Sequence, residues 1–234
     1  MIALISSIPE EGKHLITQLR KNSAIGGKAL FRGQLWGREI AYITSGIGKT
    51  NAAHATTLLL ERLSPDLVIL FGIGGAYPAG GLSIGDMAVA EKEIYGDEGV
   101  LVREGFRGAE DIGIPLLRKG RKKFFNEFPL DRRFLKKAVK CSARVAHVRS
   151  GPFVTVSTCT GTRERALELK ERFGAVCENM EGASVAQICM LYGISMVEMR
   201  GISNIVEDRD KSKWNIRLAA ENCQGAVQEL LKGL

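Results

Sequence analysis

A chain of 234 residues, 45% hydrophobic and 25% charged, suits one large α/β domain over residues 1–234 with a sizeable core. No run approaches the roughly 20 apolar residues of a membrane helix. Met1-Ile2-Ala3-Leu4-Ile5 lacks the basic and long apolar regions of a signal peptide, so the expectation is a cytoplasmic protein.

In chain order, Ile2–Ser6 reads as a first strand and Glu10–Lys21 as a helix with Leu15 and Leu19 on one face. Lys28–Trp36 and Arg38–Thr44 form a hairpin around Gly37, and Asn51–Leu63 is helical. Asp66–Phe71 is a short apolar strand of the buried parallel kind, opening into the turn-like Gly72-Ile73-Gly74-Gly75. Asp86–Tyr95 is another strand, and the glycine-broken Asp97–Pro129 is the least regular stretch. Phe134–Cys141 reads as a helix and Phe153–Val156 as a strand. A helix opens at Gly161-Thr162 and ends before Gly174. Ala175–Cys177, Gly182–Tyr192, Ser195–Ile202 and Trp214–Leu231 complete a strand, helix, strand, helix series. Strands alternating with helices predict a three-layer αβα sandwich around a twisted mixed sheet.

Charge and cysteine usage narrow the chemistry. The formal charge of +7 favours acidic partners in general. The basic run Arg118-Lys119-Gly120-Arg121-Lys122-Lys123 has few aromatics interleaved for stacking and no recognition motif, so it reads as a solvated face and no nucleic-acid partner is expected. Five cysteines (Cys141, Cys159, Cys177, Cys189, Cys223) are odd in number and widely spaced, without a C-x-x-C pair, and the three His form no cluster. Neither a metal nor another cofactor is expected, and the thiols read as small buried hydrophobes.

Several segments invite a chemical reading. Ser45-Gly46-Ile47-Gly48-Lys49-Thr50 suggests a phosphate-binding loop, but the position where that motif needs its first Gly is Ile43. Gly72-Ile73-Gly74-Gly75 could bring backbone amides close to a ligand. It is no dinucleotide fingerprint, because Tyr77-Pro78 follow where a helix should start. Glu10-Glu11, just after the first strand, is equally a helix-start pair or a general base at a pocket mouth. Glu178-Asn179-Met180-Glu181-Gly182 puts carboxylates at the mouth of a helix, and Arg200-Gly201-Ile202-Ser203-Asn204 ends an apolar strand with polar groups. In α/β sheets ligands bind past the carboxyl ends of strands, so these segments should face one pocket.

Taken together and in order, Ser45–Lys49, Gly72–Gly75, Ile84-Gly85-Asp86, Asn179–Gly182 and Arg200–Ser203 resemble the purine nucleoside phosphorylase and nucleosidase superfamily over nearly the whole chain. More narrowly, four segments are similar to the futalosine hydrolases: Gly74–Pro78, Thr155–Thr162, Glu178–Glu181, and Ser203-Asn204 with Arg209-Asp210 and Trp214. That family cleaves futalosine to hypoxanthine and dehypoxanthinylfutalosine in the alternative menaquinone pathway. The resemblance implies Glu11 as the base that activates water, with Glu10 as fallback. It implies Glu181 as the carboxylate on the ribose hydroxyls, Arg200 as the group that orients it, and Asn204 as the reader of the base. Met180 would pack on the sugar, Ile73 and Gly74 would line the nucleophile side, and Thr160, Asn179 and Ser203 would lie in the substrate site. Arg209 is a candidate for the carboxylate end of the substrate, with Lys213 beside it. A homodimer or larger homo-oligomer is implied as well.

Two departures from the adenine-cleaving relatives stand out. Asn204 replaces their Asp, and an amide NH₂ that donates to N7 or O6 suits a 6-oxopurine. Cys159 falls where they place a stacking Phe, leaving Phe153 or Trp214 to stack on the purine. Phosphorolytic relatives bind phosphate where this chain has Glu11 and Ile73. A carboxylate there would repel phosphate by about 1 kcal/mol even in water at 4 Å, which favours hydrolysis. The alternatives are a methylthioadenosine/adenosylhomocysteine-type or other purine nucleosidase, or a catalytically silent nucleoside-binding module.

Overall fold

The computed structural model describes residues 1–234, the side chain of Asn22 excepted. The chain runs through β1 (Ile2–Ser6), a 3₁₀ turn (Pro9–Gly12), α1 (Lys13–Ile16), β2 (Arg20–Ile25), β3 (Lys28–Leu35), β4 (Arg38–Thr44) and α2 (Lys49–Leu63). There follow β5 (Leu67–Ala76), β6 (Met87–Tyr95), β7 (Gly99–Val102), β8 (Gly105–Gly108), β9 (Leu117–Lys119), β10 (Lys122–Phe124) and β11 (Glu127–Pro129). The last third holds α3 (Arg132–Ser142), β12 (Val148–Thr155), α4 (Arg163–Phe173), β13 (Cys177–Asn179), α5 (Gly182–Tyr192), β14 (Ser195–Ile205) and α6 (Ile216–Gly233).

Side-chain alternation builds the three layers. In β1, Ile2 and Leu4 point into a core shared with Cys223, Val227, Leu230 and Leu231 of α6. Ala3 and Ile5 point the other way, onto Ala52, Ala55 and Leu59 of α2 and Val185 and Cys189 of α5. β5 repeats the pattern, with Ile69 and Phe71 on the α6 side and Val68 and Leu70 on the α2 side. The sheet is thus covered on both faces, and its strands are near-continuous apolar runs for that reason.

Ten strands form the mixed sheet. β1 is parallel to β4 and β5, and β5 is parallel to β14. β14 also pairs β6, β6 pairs β12, β12 pairs β13, and β13 returns to β5, so five strands close into a ring. Beyond β4, the antiparallel β3 and β2 carry the sheet to its other edge.

Three expectations change. The helix over Glu10–Lys21 is a 3₁₀ turn and a single helical turn, because Arg20–Ile25 bonds to β3 as an edge strand. Ladder bonds and the burial of Leu15 and Leu19 outweigh local helix preference there. Gly72–Gly75 is strand rather than turn: β5 continues through it, paired with Arg200–Asn204 of β14. Asp97–Pro129 contains two hairpins, and the basic run forms the exposed β9–β10 hairpin turning at Gly120.

Candidate active site

At the carboxyl ends of β1, β5, β13 and β14, and lined in part by the last residues of β5, β13 and β14, lies a cavity of about 250 Å³. It is lined by Ser7, Ile8, Glu11, Ile47, Ile73, Gly74, Gly75, Cys159, Thr160, Glu178, Asn179, Met180, Glu181, Arg200, Ser203, Asn204, Val206, Arg209 and Trp214. Of the residues proposed from sequence, Phe153 does not reach it. That ring is buried in the core among Ala88, Ala90, Val176 and Ile202, because its place on β12 faces inward. Trp214 is the aromatic wall of the cavity, with the exposed Arg209 guanidinium stacked 5.0 Å from its ring centre. Lys213 turns away toward Glu207 and Asp210.

The choice between the two first-turn glutamates is made by the 3₁₀ turn, which Pro9 pre-forms after β1. Glu10 is exposed, whereas Glu11 is 3% exposed and lines the cavity. Its Oε2 accepts from the backbone N–H of Ser7 at 2.8 Å and of Ile8 at 3.2 Å, and its Oε1 from that of Ile73 at 2.9 Å. The approach to β5 is possible only over a glycine, since a Cβ at Gly72 would lie 2.4 Å from Glu11 Oε1. Burial pushes the Glu11 carboxyl up from the ordinary glutamate range, while Arg200 and the Ile73 amide pull it part of the way back.

Glu181 stands at the N-cap position of α5, with its carboxylate turned away from the helix amides. Its Oε1 accepts from the Gly48 N–H at 3.0 Å, which explains the Ser45–Thr50 loop: the loop presents an amide to a carboxylate of the protein. Its Oε2 accepts from Arg200 Nη2 at 3.3 Å. Arg200 is 1% exposed; Nε donates to Glu198 at 2.9 Å and Nη1 to the Ile73 carbonyl at 3.2 Å. Burial alone would weaken its charge, but Glu198, Glu181 and Glu11 outweigh that and hold the guanidinium firmly protonated.

On the opposite wall Glu178 accepts from Thr160 N–H at 3.0 Å, Thr160 Oγ1 at 2.5 Å and Tyr77 Oη at 3.0 Å. Met180 and Cys159 meet at 3.2 Å between their sulfurs. Asn179 lines the cavity, yet its amide is engaged by the protein. Oδ1 accepts from the N–H groups of Glu181 and Gly182, and Nδ2 donates to Glu93. Ser203 Oγ lies 2.8 Å from Asn204 Oδ1 and 3.2 Å from the Gly74 carbonyl, and Asn204 Nδ2 donates to the Ile205 carbonyl at 3.1 Å. Among the described residues no group of three or more His, Cys, Asp or Glu is placed to hold a metal ion.

Reading the sequence brought in Tyr77 and Thr155 only as members of segments that carry the resemblance, without a role, and did not single out Ser7, Ile8, Glu93 or Glu198. Of the last two, Glu198 had a signal. Glu198 stands among Met196, Val197 and Met199, all buried, and is fully buried itself; Glu93 is also fully buried, but the neighbouring Glu91 and Lys92 on the same strand masked it.

Buried carboxylates around one guanidinium, beside an apolar and aromatic wall, can accept hydrogen bonds from sugar hydroxyls, take a proton from water and stabilise a cationic sugar. Comparison with known proteins agrees with that chemistry. The phosphorylase superfamily model matches residues 1–232. The chain is 36% identical to a futalosine hydrolase of Thermus thermophilus over 84% of its own length and 83% of the relative's. It is 28% identical to a 5′-methylthioadenosine/S-adenosylhomocysteine nucleosidase of Psychromonas ingrahamii over 100% and 99%. The same fold occurs in the crystal structure of such a nucleosidase from Neisseria meningitidis with methylthio-immucillin-A, at a TM-score of 0.85, 24% identity and coverage of 100% and 99%. The chain therefore belongs to the phosphorylase superfamily, and within it to the nucleosidases, enzymes that hydrolyse N-glycosidic bonds.

Proposed function

We propose that this enzyme hydrolyses the N-glycosidic bond of futalosine, releasing hypoxanthine and dehypoxanthinylfutalosine in the alternative menaquinone pathway. The observation that carries the choice of base is the setting of Asn204. Its Oδ1 faces the Ser203 hydroxyl and its Nδ2 faces the Ile205 carbonyl. Rotating the amide would bring two acceptors together at Ile205, so Nδ2 stays there and keeps its second hydrogen for a ligand. A donor suits N7 and O6 of a 6-oxopurine and opposes the amino group of adenine. The 36% identity to a futalosine hydrolase supports the same substrate.

The mechanism follows from the site. The purine stacks on Trp214, with Asn204 on its N7 and O6 edge. Glu181 has a second lone pair free on each oxygen for the ribose 2′- and 3′-hydroxyls. As the glycosidic bond lengthens, positive charge grows on the sugar beside Glu181. The base departs as an anion that Asn204 stabilises until water, to which Glu11 later yields its proton, protonates it to hypoxanthine. Glu11, on the far side next to Ile73 and Gly74, accepts a proton from the water that attacks the anomeric carbon. Phosphate is excluded because Glu11 already occupies the amides of Ser7, Ile8 and Ile73 that would receive an anion. Arg200 orients Glu181, Met180 packs on the sugar, and Thr160 holds Glu178 at the rim. Arg209 faces the carboxylate end of the substrate. The family resemblance also carries a homodimer or larger assembly.

The second reading, a methylthioadenosine/adenosylhomocysteine nucleosidase, is favoured by end-to-end similarity to that group and opposed by Asn204. Incubation with futalosine, inosine and methylthioadenosine, with chromatographic identification of the base, decides between them. Hypoxanthine from futalosine as the fastest product is the expected result. Adenine from methylthioadenosine as the fastest product would replace the proposal with the second reading.

A further inference from the structure

Behind the cavity two carboxyl groups meet in the interior without lining the cavity themselves. Glu93 on β6 and Glu198 on β14 are both 0% exposed. A Cβ at Gly182 would lie 2.1 Å from Glu93 Oε1 and 2.5 Å from Glu198 Oε2, so the two oxygens border a single spot that only a glycine leaves open. Glu198 Oε1 holds Arg200 Nε at 2.9 Å, while Glu198 Oε2 has no N–H or hydroxyl donor. Glu93 receives Asn179 Nδ2 on Oε1 and Thr155 Oγ1 on Oε2, each at 2.6 Å.

An orphaned carboxylate oxygen facing a second carboxyl, both out of water, is resolved by one proton between them. The proton belongs on Glu93. Glu198 is in contact with the guanidinium and is the better site for negative charge, whereas Glu93 is braced by neutral amide and hydroxyl groups. Burial and the neighbouring Glu198 both push the Glu93 carboxyl well above the ordinary range, in agreement with the geometry. The other ionisable groups facing the pair are Arg200, Glu181, the buried Cys177 and Tyr95, and burial keeps the last two protonated.

We infer that Glu93 and Glu198 form a carboxylic acid–carboxylate pair that positions Glu181 from two sides. The ionised Glu198 fixes Arg200 by its Nε edge and leaves Nη2 for the Glu181 carboxylate. The protonated Glu93 donates to Glu198 and holds Asn179, whose Oδ1 accepts the backbone N–H of Glu181 and of Gly182. Thr155 closes the circuit, with its hydroxyl on Glu93 and the Ala183 N–H on its oxygen. Both are positioning residues, since neither touches the cavity.

This inference rests on the nucleosidase reading for its kinetic part alone. Three variants test it on whichever nucleoside the wild type cleaves. Glu198→Gln removes the anion that Arg200 needs, and kcat should fall about 10- to 100-fold with KM within about threefold, the scale of a misplaced reacting group. Glu93→Leu should lose a similar factor. Glu93→Gln, a neutral isostere of the acid, should recover most of that loss. Infrared spectra give a reading that needs neither substrate nor a folded Leu variant. The wild type at pH 7 should show the C=O stretch of a buried protonated carboxylic acid, shifted in D₂O and missing from Glu93→Gln. An unchanged band in Glu93→Gln, wild-type kcat in Glu198→Gln, or a Glu93→Gln enzyme as impaired as Glu198→Gln would each overturn the pair. A wild type releasing no base from any nucleoside would overturn the proposed function, and the infrared band would still decide the protonation.

Discussion

Replacing Glu11 with Gln tests the base assignment, and the geometry sets the size of the effect. The wild-type carboxylate accepts three backbone N–H bonds, two on Oε2 and one on Oε1. A glutamine amide has one oxygen. The lower-cost orientation keeps that oxygen on Ser7 and Ile8 and turns NH₂ against the Ile73 N–H. One buried donor is then left unpaired, at about 1–3 kcal/mol. For a chain of this size each kcal/mol shifts Tm by about 2–4 °C. Part of this is offset. Burial raises the Glu11 carboxyl, so the folded protein holds that proton more tightly than the unfolded chain. The stability linked to it is complete below the unfolded value and is lost as pH rises through the folded one; Gln removes that loss at neutral pH. Activity should fall far more than stability, by about 10²–10⁴ in kcat, or about 3–5 kcal/mol of barrier, because the amide cannot take the water proton. The wild-type pH profile adds a second check. The base works ionised, so kcat/KM should fall with acid through a midpoint above the ordinary glutamate value of 4.5, and the limb should vanish from the residual activity of the variant. Base release measured by chromatography, with melting curves in parallel, gives both numbers. Turnover within threefold of the parent would refute the assignment of Glu11.

Glu181→Gln should lower kcat/KM by about 10²–10³-fold, since the sugar cation loses the charge facing it; equal cleavage of a 2′-deoxy substrate by the wild type would break the ribose assignment. Asn204→Asp should shift preference from the 6-oxo toward the 6-amino analogue of futalosine, within the roughly 5- to 150-fold window set by one unpaired buried polar group. Unchanged kcat/KM ratios across the two substrates would mean that Asn204 does not read the base. Gly72→Ala would place a methyl 2.4 Å from Glu11 Oε1 and displace the carboxylate. The expected loss in kcat is about 10²-fold with about 1–3 kcal/mol of destabilisation, and an undiminished kcat would argue against Glu11 as base.

Much of this was legible in the sequence because local pattern and tertiary fold agree. The apolar runs Ile2–Ile5, Leu67–Phe71 and Ser195–Ile202 are strands because both faces of the sheet are covered, and Gly174 and Gly193 end their helices in the left-handed region. The helix expected over Glu10–Lys21 was not legible in the same way. Its last two residues, Arg20 and Lys21, already belong to an edge strand whose stability comes from β3, a partner that follows the turn at Gly26-Gly27. The extension of β5 through Gly72–Gly75 was hidden for a related reason. Glycine clusters usually mark turns, but here they leave room for Glu11 and Cys177 to approach an extended backbone. The convergence of Glu11, Glu181, Arg200 and Asn204 could be read from motif order. The misreading of Phe153 shows the limit: on a strand a one-residue change of register moves a side chain from cavity to core.

The charge balance of the interior links these observations to the reaction. One buried guanidinium, Arg200, is surrounded by the carboxyl groups of Glu11, Glu93, Glu181 and Glu198. A proton on Glu93 removes one negative charge, and Arg200 offsets another. The excess that remains lies on Glu11 and Glu181, the two that line the cavity. The ribose of the bound nucleoside, uncharged before the reaction, gains little from it on binding. A sugar that becomes cationic as its base departs gains about 4 kcal/mol from a facing carboxylate at 4 Å and an effective dielectric constant near 20. That differential is worth about 10³-fold in rate, and it acts on the transition state rather than on the bound substrate. The same excess repels phosphate. A single electrostatic arrangement thus favours the cationic sugar, favours water over phosphate as the nucleophile, and requires the neutral acid behind it: an ionised Glu93 would compete with Glu181 for Arg200 and loosen the carboxylate that faces the sugar.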